Sequence, residues 1–365
     1  MSQKREMVRM ALQKEAIIAA IARTFHVQRS VVYRYRERYR RFGDAGLQER
    51  SRRPASSPKQ TERATEQLVL ELRDETHWGA RKIAKRLRDT GKAKLHKSTV
   101  HSILTRYRRI DPIDSQSHEP WQFFEHPYPN DLWQMDFTGW ITTDSGRCHP
   151  LTLLDDHSRF SLGLRACSNE TTDTVQRCLT GIFDRYGLPK AMTMDNGSPW
   201  GDEGGPRLTK LTAWMVRLGI RVSHSRPYHP QTQGKDERFH ATMVAELLRW
   251  SHFRDLIEAQ AAFDRWRDRY NLERPHESLG MATPVTRYQP STRRMPSSLP
   301  PIEYAAGDEV RKVDNNGRIS FRGRLIRVGK GCSVLPVAIR PTTEDGVFDV
   351  YFCHQRIAKI DFNDR

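Results

Sequence analysis

At residues 131–142 the chain reads DLWQMDFTGWIT, a stretch in which apolar and aromatic side chains surround Asp136. A run of large apolar residues of this kind predicts a buried β-strand. A carboxylate inside such a strand is costly unless it is paired, hydrogen-bonded or bound to a metal ion. Asp136 is therefore the first candidate functional residue, with bonds from backbone amides as the purely structural alternative.

The residues that follow alternate between strand and helix patterns. The predicted elements are, in order, strands at 149–156 and 159–167, a helix at 173–187, a strand at 190–195, a helix at 208–219, a strand at 220–225, and helices at 234–250 and about 254–270. Three strands followed by alternating helices and strands predict a mixed sheet with helices on both faces.

Two further acids lie at the ends of these predicted elements. Asp195 ends the strand at 190–195 and opens a turn, and Glu237 lies near the start of the helix at 234–250. Taken alone, Asp195 is typical of a plain turn and Glu237 of a surface helix. On neighbouring elements they could converge with Asp136, and three such anions are stable only with cations between them. Carboxylate oxygens are the ligands that Mg²⁺ and Mn²⁺ prefer.

The net charge of +17 lies in one segment of the chain. Residues 1–110 contain 28 Lys and Arg against 11 Asp and Glu, whereas the rest of the chain contains 33 of each. An excess confined to this segment favours a module that binds a polyanion, most commonly nucleic acid. A solvated basic face is the alternative.

Other functional classes are disfavoured by composition. The five cysteines are scattered and form no CxxC pair, which argues against a disulfide framework or a cysteine zinc site and favours a reducing cytoplasm. No apolar run approaches the roughly 18 residues that a membrane span needs, and the N-terminus lacks the apolar core of a secretory signal. A GxxxxGK[ST] loop is absent, so we expect no ATP requirement and no nucleotide cofactor.

Residues 1–50 are predicted to form a first helix-turn-helix unit. Apolar residues repeat at helical spacing up to Phe25 (Ile17, Ile18 and Ile21 precede it), a turn follows at 26–28, and Ser30 is a candidate N-cap of the next helix. That helix alternates tyrosine with arginine, and arginine suits guanine edges in the major groove. Its candidate DNA contacts are Arg34, Arg36, Arg38 and Arg40. A three-helix bundle without a DNA role would share the periodicity but would rarely carry so many arginines.

Residues 61–110 repeat this plan, with helices at about 63–75 and 80–89 and a third that begins at Ser98. Ser98 or Thr99 is the candidate N-cap of the third helix. Arg106, Arg108 and Arg109 are predicted to lie on it, and Arg106 and Arg108 are candidate DNA contacts. Two tandem units would read a longer site than one.

The remaining segments complete the predicted organisation. Linkers rich in Pro, Ser or mixed polar residues are expected at 51–60, 111–130 and 289–304, and they bound the mixed-sheet core domain at 131–288. Short alternating strands with Gly and Asn turns at 305–365 predict a small β-barrel. The fold class is thus α plus α/β plus β: tandem N-terminal helix-turn-helix units, a mixed-sheet core and a C-terminal barrel.

Three motifs carry a resemblance to a known family. Their order is Trp-Gln-Met-Asp-Phe-Thr from Trp133, Asp-Asn-Gly from Asp195, and His-Pro-Gln-Thr-Gln-Gly-Lys-Asp-Glu-Arg-Phe-His from His229. This resembles the integrase core of insertion-sequence transposases and retroviral integrases. SRRP from Ser51, HWGARK from His77 and ERPHESLGMATP from Glu273 also resemble bacterial insertion-sequence transposases.

The resemblance implies a ribonuclease-H-like core whose catalytic, metal-binding triad is Asp136, Asp195 and Glu237. It implies two Mg²⁺ ions per site, replaceable by Mn²⁺, which support nicking and strand transfer of double-stranded DNA. Transposon ends with terminal inverted repeats and target DNA are the implied substrates, and a homo-oligomeric synaptic complex the implied assembly. Lys235 and Arg238 are implied contacts to transposon-end DNA, and the implied location is the bacterial cytoplasm, on the nucleoid, without a membrane partner.

Some features stay open at this stage. Asp195 and Glu237 are separated by 41 residues, longer than is usual in the family, with the surplus placed in a loop at 198–207. Asp155 and Asp156 are rival ligands that we interpret as structural, and His229 and Asn196 would order the site or have a structural role. The alternative functions are a helix-turn-helix regulator, a cellular nuclease of the same fold, and a domesticated, inactive relative.

Overall fold

The computed structural model describes residues 2–49, 60–110, 125–201, 208–224 and 234–363. It divides into two compact units, Met1–Glu62 and Arg63–Arg365. Several predicted features lie outside the described residues: most of the first linker, the linker up to residue 124, the tip of the 198–207 loop, and the segment 225–233 that contains His229.

The first unit consists of three helices, α1 (Ser2–Ala11), α2 (Ile18–Thr24) and α3 (Arg29–Phe42), closed by a short 3-10 turn. Their apolar faces enclose a core that includes Val8, Ile21, Val32 and Leu47. Helix α3 begins one residue before the predicted cap, because Gln28 occupies the N-cap position and Ser30 lies in the first turn. The prediction of Ser30 as the cap was wrong.

The second helix-turn-helix unit contains α4 (Arg63–Thr76), α5 (Ala80–Asp89) and α6 (Lys97–Arg106) around a core of Val69, Ile83, Leu87 and Ile103. The side chain of His96 caps α6 by accepting a bond from the Ser98 amide. Neither Ser98 nor Thr99 is the cap. The Nδ1 atom of His96 accepts a bond from a free amide of the first turn, which is the role of a capping side-chain oxygen. Helix α6 ends at Arg106, so Arg108 and Arg109 lie beyond the helix on which they were predicted.

The core is built on a six-stranded mixed sheet. Its strands are β1 (Leu132–Phe137), β2 (Ile141–Thr143), β3 (Gly146–Asp155), β4 (Ser161–Cys167), β5 (Ala191–Met194) and β6 (Arg221–His224). Strand β3 pairs antiparallel with β1, β2 and β4, whereas β1, β5 and β6 run parallel. The stretch at 131–142 forms two strands instead of one, because Gly139 adopts a positive φ of 86° between them.

Helices cover both faces of this sheet, as predicted. They are α7 (Thr172–Tyr186), α8 (Lys210–Arg217), α9 (Gly234–Glu246) and α10 (Leu256–Leu272). Helices α7 and α8 share one apolar cluster with Met135 and Leu153. Helices α9 and α10 share a second cluster with Leu154 and Leu164, which lie on the opposite face. Alternate strand residues therefore supply the two cores.

The C-terminal segment forms β7 (Glu309–Lys312), β8 (Arg318–Phe321), β9 (Arg324–Arg327), β10 (Pro336–Pro341), β11 (Val347–Phe352) and β12 (Gln355–Asp361). These strands make a four-stranded antiparallel sheet, in the order β12-β11-β10-β7, and a separate β8–β9 hairpin. Both sheets are open, so the predicted β-barrel is not confirmed. The segment packs on the core, where the Gln355 amide bonds to both backbone groups of Val222 on β6.

The expected linker at 289–304 contains no helix or strand but is bonded to the core. The Arg293 guanidinium donates to the carbonyls of Pro189, Leu218 and Gly219. These bonds satisfy carbonyls at the ends of neighbouring elements and tie the segment to the sheet. Among the described residues, no helix is long and apolar enough to cross a membrane.

Candidate active site and nucleic-acid surfaces

Two of the three predicted acids lie at the same edge of the sheet. Strands β1 and β5 are parallel, with Gln134 paired to Thr193. Continuing that register by two residues brings Asp136, near the end of β1, level with Asp195, which follows β5. The carboxyl ends of adjacent parallel strands thus present both side chains together, the usual location of a site in such sheets.

The third acid is carried by α9. Phe239 and Met243 of this helix are buried against the sheet, and the Phe239 ring packs edge-on against Trp266 and Tyr270 of α10. This packing fixes the rotation of α9 about its axis. Glu237 projects from its first turn on the exposed side.

Electrostatics links the three carboxylates. Burial, followed by the negative charges of Asp195, Glu170 and Glu237, raises the pKa of Asp136 to about 7. A bond from the Phe137 amide, 2.8 Å from Oδ1, offsets part of that rise. Asp195 and Glu237 therefore lie near enough to Asp136 to disfavour its ionisation, an effect that a bound cation would reverse.

The side chains do not form a closed ligand set in this arrangement. Among the described residues, no three His, Cys, Asp or Glu side chains lie close enough together to hold a metal ion jointly. The donor chemistry still fits a hard divalent cation, because all three groups are carboxylates and Asp136 is destabilised by its anionic neighbours.

Asp195 is held by a tight turn. The Gly197 amide and the Trp200 indole Nε1 both donate to Asp195 Oδ1. The Trp200 ring is buried and stacks on Phe137, the residue after Asp136, at a centroid distance of 5.3 Å. Sequence reasoning missed Trp200, because an aromatic residue after a turn carries no signal of its partner.

His240 is the second residue that sequence reasoning missed. Its Nε2 lies 2.8 Å from Thr152 Oγ1, which itself donates to the Asp136 carbonyl oxygen. Its Nδ1 lies 4.0 Å from Asp136 Oδ2. Burial lowers the pKa of His240 to about 4, so the ring is neutral at pH 7. The spacing of three residues from Glu237 is a helical signal that could have indicated a shared site.

The rival acids have structural partners. Asp155 accepts bonds from the Asn130 amide and from the amide and hydroxyl of Ser158. Asp156 accepts from the His126 amide and the Gln134 side chain, and it forms an ion pair with Lys235. Their positions agree with the structural interpretation.

This ion pair changes the interpretation of Lys235. Its side chain is 14% exposed and its ammonium group is held by Asp156 inside the core, so it does not present a charge to DNA. Arg238 differs, because it lies on the exposed side of α9 and retains the position expected of a DNA contact. The neighbouring Asp236 is buried, and its Oδ1 has no hydrogen-bond partner among the described residues.

The arginines of α3 divide into two groups. Arg34 and Arg40 are exposed, and the half-buried Arg36 stacks its guanidinium over the Tyr33 ring at 5.1 Å. These three positions suit contacts to DNA. Arg38 does not, because it is turned inward and donates to the carbonyl of Gln48 at 2.6 Å.

The second unit offers a different surface. Arg106 bonds to the buried carboxylate of Glu66, which also accepts from the Tyr107 hydroxyl at 2.9 Å. Arg106 therefore stabilises this unit through Glu66, although the residue itself is exposed, and its predicted contact with DNA stays a prediction. The exposed residues of α6 are Lys97, Ser98, His101, Ser102, Thr105 and Arg106. Arg108 is exposed but lies past the helix end, with a φ of 55°.

A charged seam joins the second helix-turn-helix unit to the core. Arg86 pairs with Glu273 at 2.6 Å, and Arg269 pairs with Glu75 at 2.7 Å. The Trp78 indole donates to Glu246. Glu246 is also held by Arg274 at 2.9 Å, and that pair is almost fully buried. The His77 ring stacks on Trp250 with centroids 4.5 Å apart.

Family comparisons agree with this arrangement along most of the chain. The matching models are a helix-turn-helix domain at 3–55, a homeodomain-like domain at 31–104, integrase core domains at 126–230 and 218–284, and the C-terminal domain of IS481 family transposases at 308–365.

Two similar proteins are encoded by bacterial insertion elements. The IS476 uncharacterized 39.2 kDa protein of Xanthomonas euvesicatoria is 28% identical over 189 residues, which is 51% of this chain and 47% of that protein. The IS407 uncharacterized 31.7 kDa protein of Burkholderia multivorans is 27% identical over 158 residues, 43% of this chain and 54% of that protein. The chain thus matches about half the length of these relatives.

A chain of the simian T-cell lymphotropic virus intasome, solved in complex with a PP2A regulatory subunit, aligns over 80% of this chain and 96% of its own length. Its sequence identity is 14% and its TM-score 0.41, so this likeness supports no conclusion about function.

The matched domains and the sheet with its carboxylates define an integrase-core protein that carries helix-turn-helix domains. The domain content, including the IS481-type C-terminal domain, is that of insertion-sequence transposases with an integrase-like core, and the chain is similar to two insertion-element proteins.

Proposed function

We propose that this chain cuts and joins DNA strands at the ends of a mobile element, in a reaction that depends on divalent metal ions. The observation that carries the proposal is the placement of Asp136, whose pKa is raised to about 7 by burial and by the nearby Asp195 and Glu237, at the strand ends of an integrase core. A bound cation would offset the repulsion among the negative charges at such a site.

Asp136, Asp195 and Glu237 would hold the ions, with two Mg²⁺ per site and Mn²⁺ as a substitute. When bound, such ions activate the attacking oxygen and stabilise the leaving oxygen of the phosphodiester. The chain's own residues orient this centre. The neutral His240 bonds to Thr152, whose hydroxyl donates to the Asp136 carbonyl oxygen. The Gly197 amide donates to one carboxyl oxygen of Asp195.

The basic helices would deliver DNA to this centre. Residues 1–110 carry the entire net charge of the chain, and the exposed Arg34 and Arg40 of α3, with the half-buried Arg36, suit a contact with the terminal inverted repeats. Arg238 would contact the transposon end beside the active site. Two ends must be cut together, so we propose a homo-oligomeric synaptic complex that also holds target DNA.

Strand joining separates this function from its competitors. The full chain is incubated with a pre-cut duplex that ends in the inverted repeat flanking its coding sequence, with target plasmid and Mn²⁺. A transposase inserts the end into the plasmid. A nuclease of the same fold only cuts, and a regulator or inactive relative binds the duplex without either reaction.

A further inference from the structure

The turn after β5 brings a buried indole against a predicted metal ligand. The Trp200 amide bonds to the Gly197 carbonyl at 3.1 Å, and the Gly201 amide bonds to the same carbonyl at 2.7 Å. The turn is so compact that a Cβ on Gly201 would lie 1.8 Å from the Asn196 carbonyl oxygen. A fixed backbone of this kind gives the Trp200 ring a defined position.

That ring has two contacts with the site. One face stacks on Phe137, with an interplanar angle of 19°. Its single polar group, the Nε1 hydrogen, is donated to Asp195 Oδ1. The Trp200 residue is 2% exposed, so water does not compete freely for this donor, and the bond to the Asp195 carboxyl oxygen satisfies a group that would otherwise be buried without a partner.

We propose that Trp200 is a positioning residue for the metal site. Its indole and the Gly197 amide both hold Asp195 Oδ1, which leaves Oδ2 as the oxygen that binds metal. Because the same ring stacks beside Asp136, it couples the ends of β1 and β5, the two strands that carry these acids. Outer partners of this kind fix the orientation of ligands in metal sites.

The test measures Mn²⁺ binding to the full chain. The electron paramagnetic resonance signal of the free ion reports how much Mn²⁺ stays unbound. Trp200→Phe keeps a ring that stacks on Phe137 but removes the donor. We expect Mn²⁺ affinity to fall by about tenfold, with a melting temperature close to that of the original chain. Joining activity should recover at high Mn²⁺ concentration, which a misfolded site would not allow.

Trp214→Phe is the matched control. Trp214 lies in the same apolar core but stacks on Phe183 of α7, so its loss should leave Mn²⁺ affinity unchanged. If Trp200→Phe does not fold, Phe137→Leu removes the stacking partner while keeping the donor, and a severalfold loss of affinity is then expected. Unchanged Mn²⁺ affinity in the folded variant would overturn the role of Trp200.

The inference rests on the proposed function, and Asp195→Asn distinguishes the two failures. If this substitution weakens Mn²⁺ binding but Trp200→Phe does not, only the role of Trp200 is lost. If Mn²⁺ binding is insensitive to Asp195→Asn, the proposed metal site is wrong and the role of Trp200 falls with it.

Discussion

Asp136 keeps its proton to a much higher pH in the folded chain than an ordinary aspartate does. Its folded pKa is about 7 against a usual value of 3.8. Folding therefore favours the protonated form of Asp136. As the pH rises from about 4 to about 7, the unfolded chain loses this proton more readily than the folded chain, so the free energy of unfolding falls progressively. Above pH 7 the metal-free chain carries the full cost of an ionised, partly buried carboxylate near other anions.

Asp136→Asn should therefore stabilise the metal-free chain at pH 8. We expect a rise of about 1–3 kcal/mol in the free energy of unfolding, since the amide removes the buried charge. Urea unfolding at pH 8 in the presence of a chelator measures it. The control is Asp184→Asn on the exposed side of α7, which should change little. A destabilised Asp136→Asn chain would show that its carboxylate is favourably bonded, contrary to the raised pKa.

The same group makes metal affinity depend on pH. Below pH 7 a metal ion must displace a proton from Asp136, so Mn²⁺ affinity should fall by up to about tenfold for each pH unit below 7. Above pH 7 the dependence should flatten. Calorimetric titrations at pH 6 and pH 8 in buffers of different ionisation enthalpy would measure it, together with the proton released. A pH-independent affinity would exclude Asp136 as a ligand with this pKa.

At the scale of single residues, the sequence indicated where the acids lie in the sheet better than it indicated the partners of neighbouring residues. Asp136 stood out because a carboxylate inside an apolar strand needs an explanation, and a strand register can bring it level with Asp195. The partners of Lys235 could not be anticipated. Its ion pair with Asp156 joins positions 79 residues apart, and no local pattern encodes such a contact.

Among the helices and strands, α3 illustrates how one element serves both the fold and a surface. Alternating residues of a helix do not share a face, so its four predicted DNA-binding arginines cannot all point outward. Arg38 closes the unit by bonding to Gln48, whereas Arg40 is exposed.

Arg38→Ala and Arg40→Ala should consequently affect different properties of the chain, the first its stability and the second its DNA binding. Arg38→Ala is expected to lower the free energy of unfolding by about 1–2 kcal/mol, because the Gln48 carbonyl loses a charged donor. Arg40→Ala should leave stability unchanged, weaken DNA binding, and reduce the slope of log affinity against log salt by about one. Thermal unfolding and fluorescence anisotropy at several salt concentrations measure the pair. Equal losses of DNA affinity in folded chains would contradict this division.

Elements whose pattern is local were predicted best. The helices of the core and the mixed sheet follow from periodicity, but element ends depended on single contacts, as with the His96 cap of α6 and the break at Gly139. The predicted barrel is not confirmed, and the reason is different. Short alternating strands specify antiparallel pairing, but closure of the sheet depends on long-range register that no local pattern contains.

At the scale of the unit formed by residues 63–365, the charged seam couples the second helix-turn-helix unit to the integrase core. Arg86→Glu places a negative charge next to that of Glu273, so the ion pair becomes a repulsive pair. We expect the free energy of unfolding to fall by about 1 kcal/mol. Adding Glu273→Arg should restore most of that loss. Calorimetry measures the loss of stability and its recovery, and hydrogen exchange along α5 shows whether the change lies at the seam.

Lys85→Glu with Asp89→Lys is the matched control, because that pair lies within α5 and does not cross the seam. Its reversal should leave hydrogen exchange at the seam unchanged. If the Arg86 and Glu273 reversals are strictly additive, the two residues do not interact and the seam is not a coupling between the domains.

We propose that one carboxylate triad performs metal-dependent strand joining. It is tested most directly by full-length Asp136→Asn, Asp195→Asn and Glu237→Gln chains in the joining assay with a pre-cut end and Mn²⁺. Each variant should lose joining by at least about a thousandfold and still bind the end in a mobility-shift assay, because the helix-turn-helix units are unchanged. Mn²⁺-dependent joining that persists in any one of them would contradict the assignment of that residue, and persistence in all three would contradict the proposed chemistry.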